Sequence, residues 1–320
     1  MYTQSTNNLV SSAYIIQNRS LSVLVNLFTV FHYFTKVISS FIIIMSKVAV
    51  VTGGNKGIGF AIVKGLCQRY HGDVYLTARD VGRGEEAVQK LKEAGLNPLF
   101  HQLDITDAAS VERFRDHIKD KNGGIDILIN NAAIAFKRSS TENFGVQAEK
   151  TIFVNYTSLV STCKILFPIL KANARVVNLS SSAGHLSFIP DENLRSRFAS
   201  NTLTEPQLSD LVKQFVEAAK DGSNVAKGWG SNSYAVSKVA VSALTFIQNR
   251  EYGPKGICVN CVHPGYVDTD MSSHMGPLTI EQGAAAPLYL ALDAPDSVKG
   301  VYMYHDKTIV DWFGPRPLYY

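Results

Sequence analysis

Tyr234 and Lys238 stand four residues apart in a segment of helix length, so their side chains share one face, one turn apart. A phenol with an ordinary pKa of about 10 is a reluctant proton donor or base near neutrality. An ammonium at about 4 Å and an effective dielectric of about 20 contributes on the order of 4 kcal/mol, roughly three pKa units, and changes that. Ser180 and Ser181 close a β-branched run upstream, and Asn155 lies in the helix-length segment before it. With the Ser181 hydroxyl orienting a carbonyl oxygen, Tyr234 can protonate the alkoxide that develops as a hydride arrives. In most chains Tyr-x-x-x-Lys is only an exposed helix pair, and its surroundings must decide.

Those surroundings include Thr52 to Gly59, reading TGGNKGIG, directly after the first strand-like run. Glycines at 53, 57 and 59 let the backbone approach a pyrophosphate, and the dipole and N–H groups of a following helix favour the anion. At the end of the second run an NAD-preferring protein places Asp or Glu against the ribose 2′-hydroxyl. Here Ala78 and Arg79 stand there, and the Arg79 fork suits a 2′-phosphate, with Lys56 and Arg83 adding charge. NADPH is therefore the expected cofactor. Asp104 would face the adenine and Asn131 its ribose, though each also reads as a cap or turn residue.

These residues need a frame, and the chain supplies an alternating one. The strand candidates are residues 47–52, 73–78, 97–102, 125–130, 175–180, 257–262 and 300–304. Helix-length segments lie at 57–68, 82–94, 107–121, 148–171, 233–249 and 279–291. Such alternation predicts a doubly wound α/β fold, with a seven-stranded parallel sheet in three layers, as a single domain over 45–320. An excursion at 184–230 is too long to be structureless and should carry its own helices, such as 205–220.

The 320 residues, 46% hydrophobic and 18% charged, suit a globular chain, and a net charge of +4 argues against nucleic acid as a partner. Cys67, Cys163, Cys258 and Cys261 sit among apolar neighbours and are expected to be reduced core thiols of a reducing compartment; no metal site is expected. Residues 1–44 form a hydrophobic extension in which 21–44 is long enough to anchor in a membrane if His32 and Lys36 are tolerated. The competing reading starts translation at Met45, directly before the first strand, and makes the protein cytoplasmic; it is preferred because a dinucleotide fold ordinarily begins at that strand.

Taken together, TGGNKGIG (52–59), LTARD (76–80), FHQLDI (100–105), NNAAIAF (130–136), VVNLSS (176–181), GWGSNSYAVSK (228–238) and HPGYVDTDM (263–271) resemble the short-chain dehydrogenase/reductases. Within that Rossmann-fold family they are most similar to the monomeric NADPH-dependent carbonyl reductases. The resemblance covers about residues 45–312. It implies a catalytic tetrad of Asn155, Ser181, Tyr234 and Lys238, with Lys238 also bonding the nicotinamide ribose and Asn155 holding a water that feeds protons to Lys238. It implies cofactor contacts from Gly53, Asn55, Lys56, Gly57, Ile58, Gly59, Arg79, Arg83, Asp104, Ile105 and Asn131. Beyond Pro264 and Gly265, Val267 and Thr269 would hold the nicotinamide carboxamide. Residues matching Phe136, Lys137 and Gln147 help hold glutathione conjugates in those enzymes.

Two departures matter. The family's NNAG reads Asn130-Asn131-Ala132-Ala133 here, so a left-handed conformation at Ala133 would cost roughly 1 kcal/mol. The excursion covers, in the resembling reductases, the helix face through which other members oligomerise, which makes a monomer the expectation. Ile134, Phe136, Trp229 and Met271 are expected to wall an apolar pocket, while Trp312 reads equally as wall or core. Such a pocket suits bulky ketones, aldehydes and quinones rather than sugars, whose hydroxyls need partners. Three functions stand: an NADPH-dependent carbonyl reductase, a catalytically silent dinucleotide-binding module, and a membrane-anchored reductase of lipid or steroid carbonyls.

Overall fold

β1 (Val48–Val51), β2 (Asp73–Ala78), β4 (Ile125–Asn130) and β6 (Cys258–Val262) are runs of mainly buried residues without polar alternation, as strands covered on both faces must be. With β3 (Leu99–Gln102), β5 (Leu170–Leu179), β7 (Tyr302–Met303) and β8 (Ile309–Val310) they form one sheet in the order β3-β2-β1-β4-β5-β6-β7-β8. The computed structural model describes residues 46–137 and 139–317, so the expected extension at 1–44 lies outside the described residues. Strands β1 to β7 are parallel; β8, absent from the seven-strand expectation, pairs antiparallel with β7 through Tyr302↔Val310 and Met303↔Ile309. Two residues per strand leave no readable periodicity.

α1 (Gly57–Arg69), α2 (Val81–Glu93) and α9 (Ile280–Leu288) cover one face, where Ile62, Leu66, Leu91 and Leu288 meet Val51, Leu76 and Ile129. α3 (Ala108–Asn122), α4 (Phe144–Ile152), α5 (Ser158–Leu166) and α8 (Ser233–Tyr252) cover the other, where Phe114, Ile118 and Val239 meet Val50, Leu128 and Val176. Each fully buried side chain of this kind contributes about 1.5–3 kcal/mol. α8 buries residues all round its surface, many of them Ala, Ser and Val, because it lies between the sheet and the excursion.

The helix expected over 148–171 is three pieces: α4 begins earlier, capped by Asn143, a π-turn spans Phe153–Thr157, and α5 follows. A 3-10 turn at Phe167–Ile169, containing Pro168, ends it, and β5 begins at Leu170. The whole stretch, Phe144–Ile169, is apolar and long enough to cross a membrane, but it packs here as a core helix. The excursion carries α6 (Glu192–Phe198) and α7 (Glu205–Asp221), the latter opened by a Thr204–Gln207 capping box. Cys258 and Cys261 have a Cys-x-x-Cys spacing, but on strand β6 they point to opposite faces, and all four cysteines are free.

Candidate active site at the carboxyl ends of β1, β4 and β5

The strand order turns back between β1 and β4, which opens a crevice beyond their carboxyl ends. Gly53 and Gly57 take φ of 65° and 56°, where a side chain would be strained, and a Cβ on Gly59 would lie 2.4 Å from the Gly53 carbonyl. The loop is pinned by Asn131, whose Nδ2 donates to the Thr52 and Gly53 carbonyls at 2.9 and 3.0 Å. Asn131 therefore braces the phosphate loop, and Asp104 accepts from Thr106 N and Oγ1 in a tight turn. α1 has no side-chain cap and no acid in its first turn, whereas α2, α3, α4, α7, α8 and α9 are each capped by Asp, Asn or Thr. That N-terminus is left to an anion, so these residues fit a bound dinucleotide.

Arg79 and Arg83 are exposed just beyond β2, and neither guanidinium has an ion-pair partner among the described residues. Lys56 is different: its Nζ lies 2.6 Å from Asp270 Oδ2, in a solvent-exposed pair that screening keeps weak. Lys137 also donates to the Asp270 carbonyl and to Ser273 Oγ, so the segment after β6 is tied to both walls of the crevice. Pro264 and Gly265 form its first turn, which His263 steadies by accepting from Gly265 N at 3.3 Å. Burial pushes His263 down to about 4, so it is neutral and can accept. Val267 is buried, and Thr269 Cγ2 would meet a Cβ on Gly57 at 3.3 Å. Ala133 is not among the residues with positive φ, so the anticipated strain does not arise.

On the other side of the crevice, Ser181 follows β5 and Tyr234 and Lys238 occupy the first turns of α8, where Asn232 accepts from Ala235 N as the cap. Lys238 Nζ is 5.7 Å from the centre of the Tyr234 ring and donates to the Leu179 carbonyl at 2.8 Å. Asn155 sits in the π-turn, a distortion common at functional sites. Its amide accepts from Ile134 N at 2.8 Å and donates to Ile134 O at 2.9 Å and to Ser237 Oγ at 3.1 Å. Ser237 in turn donates to the Tyr234 carbonyl at 2.7 Å. Asn155 thus joins the loop after β4 to the start of α8, and Ser237, invisible in the Tyr-x-x-x-Lys pattern, is the link.

The electrostatics differ from the pairwise estimate. Burial raises the Tyr234 phenol above its ordinary value, with the Ser181 hydroxyl pulling it partly back. Burial also pushes Lys238 down to about 8. Desolvation is the largest cause at both groups, a contribution that spacing alone does not contain. At neutral pH the phenol stays protonated, which is the state a proton donor requires.

Ile134 and Phe136 are half-buried beside this cluster, and Met271 is 43% exposed. Tyr266 and Met275, 52% and 72% exposed, add apolar surface to the same otherwise polar segment and were not anticipated. Trp229, expected at the pocket wall, is instead 3% exposed, with Phe198 and Phe215 rings 6.1 and 5.6 Å away. Aromatic residues of α6 and α7 enclose it within the core that the excursion shares with α8 and the sheet. Trp312 is likewise core, 1% exposed. Two cavities of about 230 Å³ beside Phe313 are lined by no tetrad residue.

A glycine loop open to an anion, set across a switch point from a buried lysine, a phenol and a serine, defines a class: oxidoreductases that work with a dinucleotide. Comparison with known proteins narrows it. Residues 47–191 match the family described as short chain dehydrogenase, and residues 189–307 that described as enoyl-(acyl carrier protein) reductase. The chain is 44% identical over 274 residues to carbonyl reductase (NADPH) 3 of Mus musculus, covering 83% of this chain and 99% of that one. It is 43% identical over 282 residues to carbonyl reductase (NADPH) 1 of Sus scrofa, covering 86% and 97%. Salutaridine reductase from Papaver somniferum superimposes with a TM-score of 0.74 at 34% identity, over 81% of this chain and 99% of that one. The chain belongs to the short-chain dehydrogenase/reductase family.

Proposed function

We propose that this protein reduces quinones, aromatic aldehydes and bulky ketones to alcohols with NADPH, Tyr234 acting as general acid. The observation that carries this reading is the pairing of Tyr234 with a buried Lys238 beside Ser181, across the crevice from a phosphate loop. The carbonyl reductases that match over most of the chain support the same chemistry and cofactor. NADPH, when bound, supplies the hydride. Gly53, Asn55, Gly57, Ile58 and Gly59 would hold its pyrophosphate and Arg79, Arg83 and Lys56 its 2′-phosphate, while Ile105, Val267 and Thr269 would line the remainder. Lys56 reaches that phosphate only by leaving Asp270.

Ser181 donates to the carbonyl oxygen and Tyr234 delivers its proton there as charge develops. Lys238 faces the phenol and restores its proton. Both amide protons of Asn155 are committed to Ile134 and Ser237, so a water feeding Lys238 would be held by an oxygen of Asn155 and not by its amide N–H groups. The intact tetrad argues against a silent binding module. Glutathione conjugates would reach Lys137 and Gln147 only by displacing their present partners, Ser273 Oγ and the Glu142 carbonyl. The alternative of an anchored reductase of lipid or steroid carbonyls turns on residues 1–44, and carbonate-resistant membrane association of the full chain would support it.

The decisive assay is kcat/KM for NADPH against NADH with menadione, an aromatic aldehyde and a ketosteroid. NADPH consumption with the quinone is the expected result; binding without turnover across a broad carbonyl panel would overturn the reading. Lys238 sets the pH dependence. Its charge is present below about 8 and lost above it, while the raised phenol stays protonated. The reductive kcat/KM should therefore fall as pH rises through about 8, and a profile flat to about pH 10 would count against this role.

The excursion supports a monomer. α7 lies on α4 and α8, with Lys220 paired to Glu149 and Ser209 bonded to Tyr156, so those helices are covered by their own chain. Light scattering should return one chain of 35.1 kDa, and a stable tetramer would refute that.

A further inference from the structure

Ser181 is gripped from a part of the chain that the family's motifs do not include. Tyr302, on β7 and 1% exposed, donates its phenol proton to the Ser181 carbonyl at 2.5 Å. That carbonyl also accepts from Gly184 N at 2.8 Å, so both of its lone pairs are used. Beyond β8, Trp312 Nε1 donates to the Gly184 carbonyl at 2.7 Å. His185 bonds the Asp311 carbonyl at 3.1 Å through Nε2; Ser187 N donates to its Nδ1, which leaves the proton on Nε2. Three hydrogen bonds from residues 302–312 therefore hold the turn 181–185, and one falls on the serine itself. The extended Ser181 backbone, with φ −164° and ψ 164°, then has a fixed peptide plane, which sets the direction of its Cα–Cβ bond, and Ala183 N, from the same turn, donates to Oγ at 3.2 Å and holds the hydroxyl oxygen.

We propose that Tyr302 is a positioning residue for carbonyl reduction, setting the Ser181 hydroxyl through its backbone carbonyl, with the β7–β8 segment and Trp312 as the strap that holds the turn. The inference rests on the reductase reading given above. Burial raises the Tyr302 phenol well above its ordinary value, so it remains a donor wherever the enzyme works. The ring sits between His185 and Tyr304, with centroids 6.1 and 5.5 Å away, and its hydroxyl also meets the Tyr304 hydroxyl. Tyr302→Phe keeps the ring contacts and removes the donor to Ser181 together with that hydroxyl contact, which a double-mutant cycle separates from the effect on Ser181.

The test is a double-mutant cycle on quinone reduction with NADPH, beside a fluorescence titration of NADPH binding. In the wild-type background Tyr302→Phe should lower kcat about five- to tenfold, the size one hydrogen bond allows, with the NADPH Kd unchanged within about twofold. In the Ser181→Ala background the same change should move kcat less than about twofold, because the hydroxyl it aims is gone. An equal loss in both backgrounds, or no loss in the wild type, overturns the proposal. Should Tyr302→Phe fail to fold, Trp312→Phe is carried through the same cycle with the same expectation. A wild-type chain that reduces no carbonyl overturns the reductase reading instead, a failure visible before any variant is made.

Discussion

Tyr234→Phe should lower quinone reduction by about 100- to 10,000-fold while leaving the NADPH Kd within about twofold of wild type. The substitution keeps the ring and its packing on α8 and removes one proton donor. The neighbouring groups cannot take over. Lys238 Nζ is directed at the Leu179 carbonyl, and the Ser181 hydroxyl, accepting from Ala183 N at 3.2 Å, has no proton source behind it. The hydride would still be supplied, but the alkoxide would find no acid in place. Steady-state rates with menadione and a fluorescence titration with NADPH separate the two effects. A variant that retains more than about a tenth of the rate would sink Tyr234 as the acid.

Arg79→Asp should invert the cofactor preference, moving the ratio of kcat/KM for NADPH over NADH by about 100- to 1,000-fold. The exposed Arg79 guanidinium is unpaired among the described residues, so its removal leaves no buried charge behind and the fold should be untouched. The new carboxylate would repel the 2′-phosphate and accept from the 2′-hydroxyl of NADH, so both terms of the ratio move. Parallel initial-rate measurements with the two cofactors check it. An unchanged ratio would mean that Arg83 and Lys56 alone carry the phosphate.

Much of this was legible because buried parallel strands have a strong signature. β2 and β4 have the expected bounds since Asp73–Ala78 and Ile125–Asn130 are covered on both faces and flanked by turn residues. β5 starts five residues before its expected position: Lys171 and Asn173 interrupt the apolar run of Leu170–Ala174, which joins the sheet through a register shift opposite Ile125 and Ile127, with Asn173 at φ 62°. The π-turn at Asn155 leaves no mark in composition, because one extra residue per turn changes geometry without changing residue types. The four tetrad positions could be named from spacing and motif, but not the brace through Ser237. Nor could the fate of Trp229 be read, since a large ring serves a pocket or a core depending on which helices close over it. The direction of the Tyr234 shift failed for a related reason: an ion pair can be estimated from spacing, whereas desolvation exists only in the folded protein.

The lid that α7 places over α4 and α8 has a consequence for how the protein behaves at low abundance. Where such helices are shielded by another molecule, the shield is lost on dilution and the walls of the cleft loosen with it. Here the shield is tethered a dozen residues from the helix that bears Tyr234, with Lys220 and Glu149 closing the contact, so its local concentration never changes. Specific activity should then be the same in a test tube at micromolar protein as in a cell that holds only a few copies.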